Sequence, residues 1–346
     1  MNEPGFVRIW LARILPLLLA AANFLWMEGA HAVVTCTPTA GITLTLPATI
    51  VAPRDRVLGT PLSNWISSAI TRMENSCTTS DSSTTYGQAR VVLAPTGKTV
   101  VDAGTTYELF ATSLPGVGLI MQARDNGASL KPIAATPTDL VKGWSTYWDF
   151  LAGVRLIATG EPMGTGSLAA TTVGEAFVAE KSSGTTSARA PIKITSTSVT
   201  AQTCSVDAGS VNLNVSLGTT SAPALAGPVG TTAGNASFNV RINCSTGMNV
   251  YMTLTDANNL GNTSDTLSLS PASSQARGVG IQIRRNGTPV RFGPDSSMAG
   301  TANQMSLGAS PNGVLDIPFT ANYIKTHVVV SPGEANAVAT YTFSYQ

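Results

Sequence analysis

The sequence predicts an all-β protein built as two β-sandwiches in tandem, and three observations carry that prediction. Beyond residue 33 the chain is a succession of short Val- and Thr-rich runs in which apolar and polar residues alternate, the two-residue period of a half-buried strand. Gly, Pro, Asn and Asp punctuate these runs at short intervals, and almost no segment carries a helical period. Charged residues make up only 11% of the chain while 43% is apolar, against about 25% charged in an ordinary soluble domain. Ser, Thr, Asn and Gly must therefore cover the surface, as in many extracellular all-β proteins. A length of 346 residues suits about two domains.

The chain opens on a secretory signal over residues 1–32. Arg8 and Arg13 precede an apolar run from Ile14 to Met27, and Ala30-His31-Ala32 offers a small-residue cleavage site. The run falls short of the ~20 apolar residues a spanning helix needs, so export is expected, with the mature chain starting at Val33. Strands are expected at Ile42–Leu46, Arg90–Leu93, Tyr107–Phe110, Leu119–Met121 and Val154–Ile157, and a short helix at Leu62–Met73, where Trp65, Ile66, Ala69 and Ile70 repeat at helical spacing. The polar stretch Ala190–Val199 places a boundary near residue 198, giving a first domain of residues 33–198 and a second of 199–346. In the second domain Val211–Val215, Phe238–Ile242, Val250–Leu254 and Gly280–Ile283 alternate cleanly. The last fourteen residues, Gly333 to Gln346, form a further alternating strand with Ala337, Ala339, Tyr341, Phe343 and Tyr345 on one face. Such a strand is expected to lie inside a sheet, paired on both sides.

Four cysteines, Cys36, Cys77, Cys204 and Cys244, lie in the exported part, where disulfides persist. Three connectivities are open. The wide gap between Cys77 and Cys204 makes Cys36–Cys77 and Cys204–Cys244 the economical choice, one bridge per domain. Zinc is disfavoured: no C-x-x-C spacing occurs, and His327 is the one histidine of the mature chain. A formal net charge of +1 without a basic stripe argues against a nucleic-acid partner. A Ser-His-Asp hydrolase would have to use His327, the sparse acids give no paired-carboxylate signal, and Gly116-Val117-Gly118 lacks the third glycine and helix of a dinucleotide loop. No enzyme and no cofactor is expected.

The second domain resembles the pilin domain of chaperone–usher fimbriae. The likeness rests on Cys204-Ser205-Val206, a second cysteine forty positions on, Ala276-Arg277-Gly278-Val279-Gly280-Ile281-Gln282-Ile283, Phe319-Thr320-Ala321-Asn322-Tyr323, Gly333 fourteenth from the end and the penultimate Tyr345. The resemblance implies an immunoglobulin-like sandwich lacking its final strand. A periplasmic pilus chaperone would fill the resulting groove, an outer-membrane usher would assemble the fibre, and the next fimbrial subunit would then donate its amino-terminal strand. It implies that Gly333, Ala337, Ala339, Tyr341, Phe343 and Tyr345 line that donor-strand groove. Because about 165 residues occupy the place of the family's free donor extension, the resemblance points to a subunit at the fibre tip, exposed at the cell surface.

The first domain is similar to the receptor-binding domain of two-domain fimbrial tip adhesins, the type 3 adhesin more than the mannose-specific type 1 one. Leu114-Pro115-Gly116-Val117-Gly118-Leu119, Leu156-Ile157-Ala158-Thr159-Gly160 and Gly164-Thr165-Gly166-Ser167-Leu168 carry this likeness, which implies an elongated sandwich that binds a host glycan or extracellular-matrix receptor. A sugar site combines aromatic faces with fixed polar groups. The candidates are Asp81, in the loop after Cys77; Arg124, Asp125 and Asn126; and Trp144, Tyr147, Trp148 and Asp149, where three aromatics fall within seven positions. A structural subunit with a non-binding spacer domain, and a secreted glycan hydrolase, are the alternatives to adhesion.

Overall fold

The computed structural model describes residues 34–245 and 247–346, so the expected signal segment lies outside the described residues. Strands dominate, as their period requires, in five sheets. In the first domain one sheet runs Thr35–Pro38, Thr71–Thr78, Trp148–Ala158, Val117–Asp125, Thr105–Ala111, Pro95–Asp102 in spatial order, and a second runs Thr138–Lys142, Thr85–Val91, Thr171–Glu180, Ala190–Ile194, Ile42–Leu44. Their inner faces enclose Leu44, Met73, Met121, Phe150, Leu156 and Val178, all 1% exposed or less. The deepest strands, Val117–Asp125 and Trp148–Ala158, are apolar on both faces because Leu109, Ile120 and Ile157 build a second, smaller cluster behind the first sheet, against which Trp65 packs.

The domain closes with a strand that returns. Thr197–Gln202 pairs in parallel with Thr49–Pro53, Ser198 opposite Thr49 and Gln202 opposite Pro53, and pairs on its other side with Gly166–Leu168. The division expected near residue 198 therefore falls within a strand, and only Thr203 separates this strand from the next at Cys204–Val206. Disulfides join Cys36 to Cys77 and Cys204 to Cys244, the one-per-domain arrangement.

Two expected elements are corrected. Leu62–Met73 is not a helix: Ile66–Ser67 pairs with Gly153–Val154, and Met73 lies in the strand Thr71–Thr78. The helical spacing of Trp65, Ile66 and Ile70 yields to distant partners. The Trp65 ring sits 5.4 Å from that of Tyr107 and its indole N–H donates to Asp102 Oδ2 at 2.8 Å, while Ile70 is left 39% exposed. The other correction is Val211–Val215. Asp207 caps a one-turn helix, Ala208–Val211, by accepting from the Gly209 N–H, and residues 212–220 follow with no ladder partner. Alternation alone does not make a strand where no neighbour offers hydrogen bonds.

The second domain has a sheet ordered Cys204–Val206, Thr232–Cys244, Gly313–Lys325, Val279–Arg285, Thr288–Pro289 and a smaller one ordered Met305–Ala309, Asn249–Asp256, Ala339–Tyr345. Ile242, Val250, Met252, Phe292 and Ile317 form its buried centre.

Candidate functional site

The terminal strand Ala339–Tyr345 sits at the rim of its sheet, not inside it. It pairs antiparallel with Asn249–Asp256 along its full length, Tyr345 opposite Val250 and Ala339 opposite Asp256, and no strand lies on its other side. Gln346 exchanges both backbone hydrogen bonds with Asn249, at 2.8 and 2.9 Å. By the alternation of an antiparallel ladder, the N–H and C=O groups of residues 339, 341, 343 and 345 therefore point away from the sheet.

The side chains of the same residues face the core, and their cover is graded. Phe343 and Tyr345 are buried, while Tyr341, Ala339 and Ala337 are half-buried and pack, as do partly covered Val206 and Phe238, against the buried core of the domain. The Tyr345 hydroxyl donates to Cys204 O at 3.2 Å and the Tyr341 hydroxyl to Ser210 O. Both phenols thus reach across to the segment that holds the strand Cys204–Val206 and the helix Ala208–Val211. Burial raises both phenol pKa values above the ordinary 10. Val211, at the end of that segment, and Leu213 just beyond it are exposed. The result is a partly covered apolar trough beside a backbone edge to which no strand is paired.

Gly333 lies outside the strand. It is required by close approach, because a Cβ there would fall 2.2 Å from Ser274 O, with Glu334 N–H bonded to that same carbonyl at 2.7 Å. It anchors the loop that delivers the terminal strand.

In the first domain the structure brings two of the three candidate stretches together. Trp148, Asp149 and Phe150 alternate in, out and in along their strand, so Trp148 is 4% exposed and Phe150 1%, and Trp148 belongs to the core. Asp149 points outward and takes the Arg72 Nε–H at 3.0 Å, and the Arg72 guanidinium lies 3.8 Å from the Tyr147 ring centroid. Tyr147 is 45% and Trp144 43% exposed. Asp125 pairs opposite Phe150, and the Asn126 N–H donates to Asp149 O at 3.3 Å, which sets the Arg124–Asn126 turn beside the same patch. Burial, and then the Asp149 charge, raise the Asp125 carboxyl above its ordinary value. Arg124 is used locally, donating to Asp125 O at 3.3 Å.

Asp81 stands apart. It accepts from Ser83 N–H and Oγ and from Thr84 Oγ1 at 2.6–2.9 Å, closing its own turn, and the Ser83 hydroxyl and then the Thr84 hydroxyl lower its pKa. Behind it, Glu180 takes hydrogen bonds from Ser80 Oγ at 2.6 Å and Thr79 Oγ1, the Ser80 and then the Thr79 hydroxyl pulling its carboxyl down to about 2.

Sequence reasoning missed three residues of consequence. Arg72 was hidden in the expected helix. Glu74 is fully buried opposite Trp148, its Oε2 and the Trp148 indole N–H have no hydrogen-bond partner, and burial pushes its carboxyl up to about 8. Asp55, 2% exposed, sits in Arg54-Asp55-Arg56, a cluster of three charges in a charge-poor chain that was the one available signal.

A family model described as fimbrial protein matches residues 192–346. The F17c-G fimbrial adhesin of Escherichia coli is 40% identical over 116 residues, which cover 33% of each chain, so the chain spans about a third of the length of that relative. A fimbria adhesin protein of Klebsiella pneumoniae is 24% identical over 265 residues, covering 71% of this chain and 75% of that one. Among solved structures, the CupB6 tip adhesin of Pseudomonas aeruginosa aligns over 90% of this chain and 93% of its own, with 16% identity and a TM-score of 0.35. The chain is thus similar to fimbrial adhesins, with the match to the fimbrial protein family model confined to residues 192–346.

Proposed function

We propose that this chain is the tip adhesin of a chaperone–usher fimbria, exported through the periplasm to the fimbrial tip at the cell surface. The observation that carries the reading is the open edge of Ala339–Tyr345 above a half-covered apolar trough. An extended strand from another chain satisfies both needs at once, pairing with the outward backbone groups and placing alternate apolar side chains in the trough. A periplasmic chaperone holds that place first and the neighbouring subunit's amino-terminal strand holds it afterwards, with the outer-membrane usher assembling the fibre.

The first domain, ending at Gln202 where its last strand ends, presents the receptor site. The Tyr147–Arg72–Asp149 patch, flanked by Trp144 and the Arg124–Asn126 turn, offers an aromatic face, a cation and fixed acceptors side by side, the set that recognises a glycan or a matrix protein. Binding is noncovalent and needs no cofactor or turnover.

The test is a screen of the full chain, purified with its chaperone, against glycans and matrix proteins, with Tyr147→Ala as the paired variant. Saturable binding lost in the variant supports the reading and locates the site. A folded chain that binds nothing would make the first domain a spacer.

A further inference from the structure

The open edge is not open along its whole length. At its far end the first domain reaches over and occupies it: Asp55 N–H donates to Tyr345 O at 2.8 Å, the Asp55 carboxylate Oδ2 accepts the Tyr345 N–H at 2.8 Å, and Arg54 Nη2 donates to Phe343 O at 3.2 Å. Arg54 is itself fixed, with Nε 2.8 Å from Asp55 Oδ1 and its guanidinium 5.1 Å from the Tyr345 ring. Two adjacent residues thus mimic one rung of a β-ladder. Among the described residues, nothing pairs with the Phe343 N–H or with the outward N–H and C=O of Tyr341 and Ala339.

We infer that Arg54 and Asp55 act as an end stop that fixes how far an incoming strand can advance along the terminal strand, and so sets its register. The proposal rests on the strand-accepting function above and deepens it. The partner is an extended segment of another chain with apolar residues at every second position, and its ladder runs beside Ala339 and Tyr341 and finishes at the Phe343 N–H. A one-residue slip would turn its apolar set out of the trough. An open-ended edge would tolerate slips by two in either direction, whereas one blocked at the Tyr345 end forbids those that advance toward it. Asp55 is 2% exposed and its carboxylate accepts hydrogen bonds from Arg54 and from the terminal strand at once, so an arriving strand that displaced it would strip a hydrogen bond from a buried carboxylate.

Amide hydrogen exchange by NMR on the full chain tests this, with a synthetic peptide of alternating Thr and Val as the probe. In the free protein the Tyr345 N–H should exchange at least about tenfold more slowly than the Tyr341 N–H, as a hydrogen bond to a buried carboxylate requires. Peptide should then protect Tyr341. Asp55→Ala should release Tyr345 in the free protein and let the peptide protect it, extending the footprint. Asp55→Asn, which keeps an acceptor, should retain partial protection and guards against a misfolded alanine variant. Equal exchange at Tyr345 and Tyr341 in the free wild type, or an unchanged footprint in Asp55→Ala, would overturn the end stop while leaving strand acceptance intact. Failure of any peptide to protect Tyr341 would instead remove the strand-accepting reading, and the end stop with it.

Discussion

The two domains begin alike and finish differently. Each opens on a short strand whose cysteine is bridged to a strand some forty residues on, Cys36 to Cys77 and Cys204 to Cys244. The first domain brings its own last strand home, seating Thr197–Gln202 between Thr49–Pro53 and Gly166–Leu168. In the second the last strand, Ala339–Tyr345, has one neighbour, and residues 212–217, which alternate as cleanly as any strand in the chain, have none. Completeness is thus a property of partners and not of periodicity.

Core truncation should break this contrast most visibly. Phe150→Ala in the closed domain is expected to cost about 3–5 kcal/mol and Phe343→Ala in the open one less, since Phe343 keeps 6% exposure against 1% for Phe150 and its neighbour Tyr341 is only half-buried. Chemical denaturation followed separately in each domain measures both, and equal losses would contradict the picture of a half-covered trough. Next come the bridges, each contributing roughly 2–4 kcal/mol. Cys204→Ser should abolish independent folding of the second domain and its incorporation into fimbriae, whereas Cys36→Ser should leave a folded first domain of lower stability. Normal fimbrial incorporation of Cys204→Ser would count against the assignment.

Glu74 sharpens the comparison by pH. Its carboxyl keeps a proton up to about pH 8 when folded and loses it near its ordinary 4.5 when unfolded. The folded state therefore binds the extra proton between those values. This contribution to first-domain stability is fullest below about pH 4.5, declines as pH rises towards 8 with a slope of at most about 1.4 kcal/mol per pH unit, and is level above that. Glu74→Gln should flatten that decline in the first domain and leave the second domain's profile as it was. The smallest expected stability effect is at the surface. Arg72→Ala should alter first-domain stability by less than about 1 kcal/mol while weakening receptor binding as much as Tyr147→Ala, measured by titration of whichever receptor the screen identifies.

Much of this was legible in the residues. Runs such as Tyr107–Phe110, Leu119–Met121 and Val154–Ile157 are strands where their alternation or apolar character put them, and the cysteine spacing paired the bridges. What was not legible depends on distant pairing. Leu62–Met73 has a local helical period, but its fate was decided by Val154 and Tyr107, some 90 and 40 residues away. Arg72 entered the candidate patch only because Asp149 lies opposite it across 77 residues of chain. Of the aromatic cluster, strand alternation turned Trp148 into the core and left Tyr147 outside, and this could be predicted only once the strand's starting residue was known. The open edge itself left no local trace, since a strand with one neighbour and a strand with two carry the same alternation.

The parallel pairing of Thr197–Gln202 with Thr49–Pro53 bears on mechanical load. Once the hydrogen bonds of Arg54 and Asp55 to the terminal strand have parted, a pull that separates the two domains enters the first through Thr203 and acts along the axis of Thr197–Gln202, so the hydrogen bonds of that ladder bear it together instead of parting one by one. On the other side of Thr203 the same pull meets Cys204, covalently tied to Cys244 at the end of the long strand Thr232–Cys244. The covalent part of the joint between the domains is thus a short tether clamped in shear at one end and bolted at the other, and the backbone between its two fixings is a single residue.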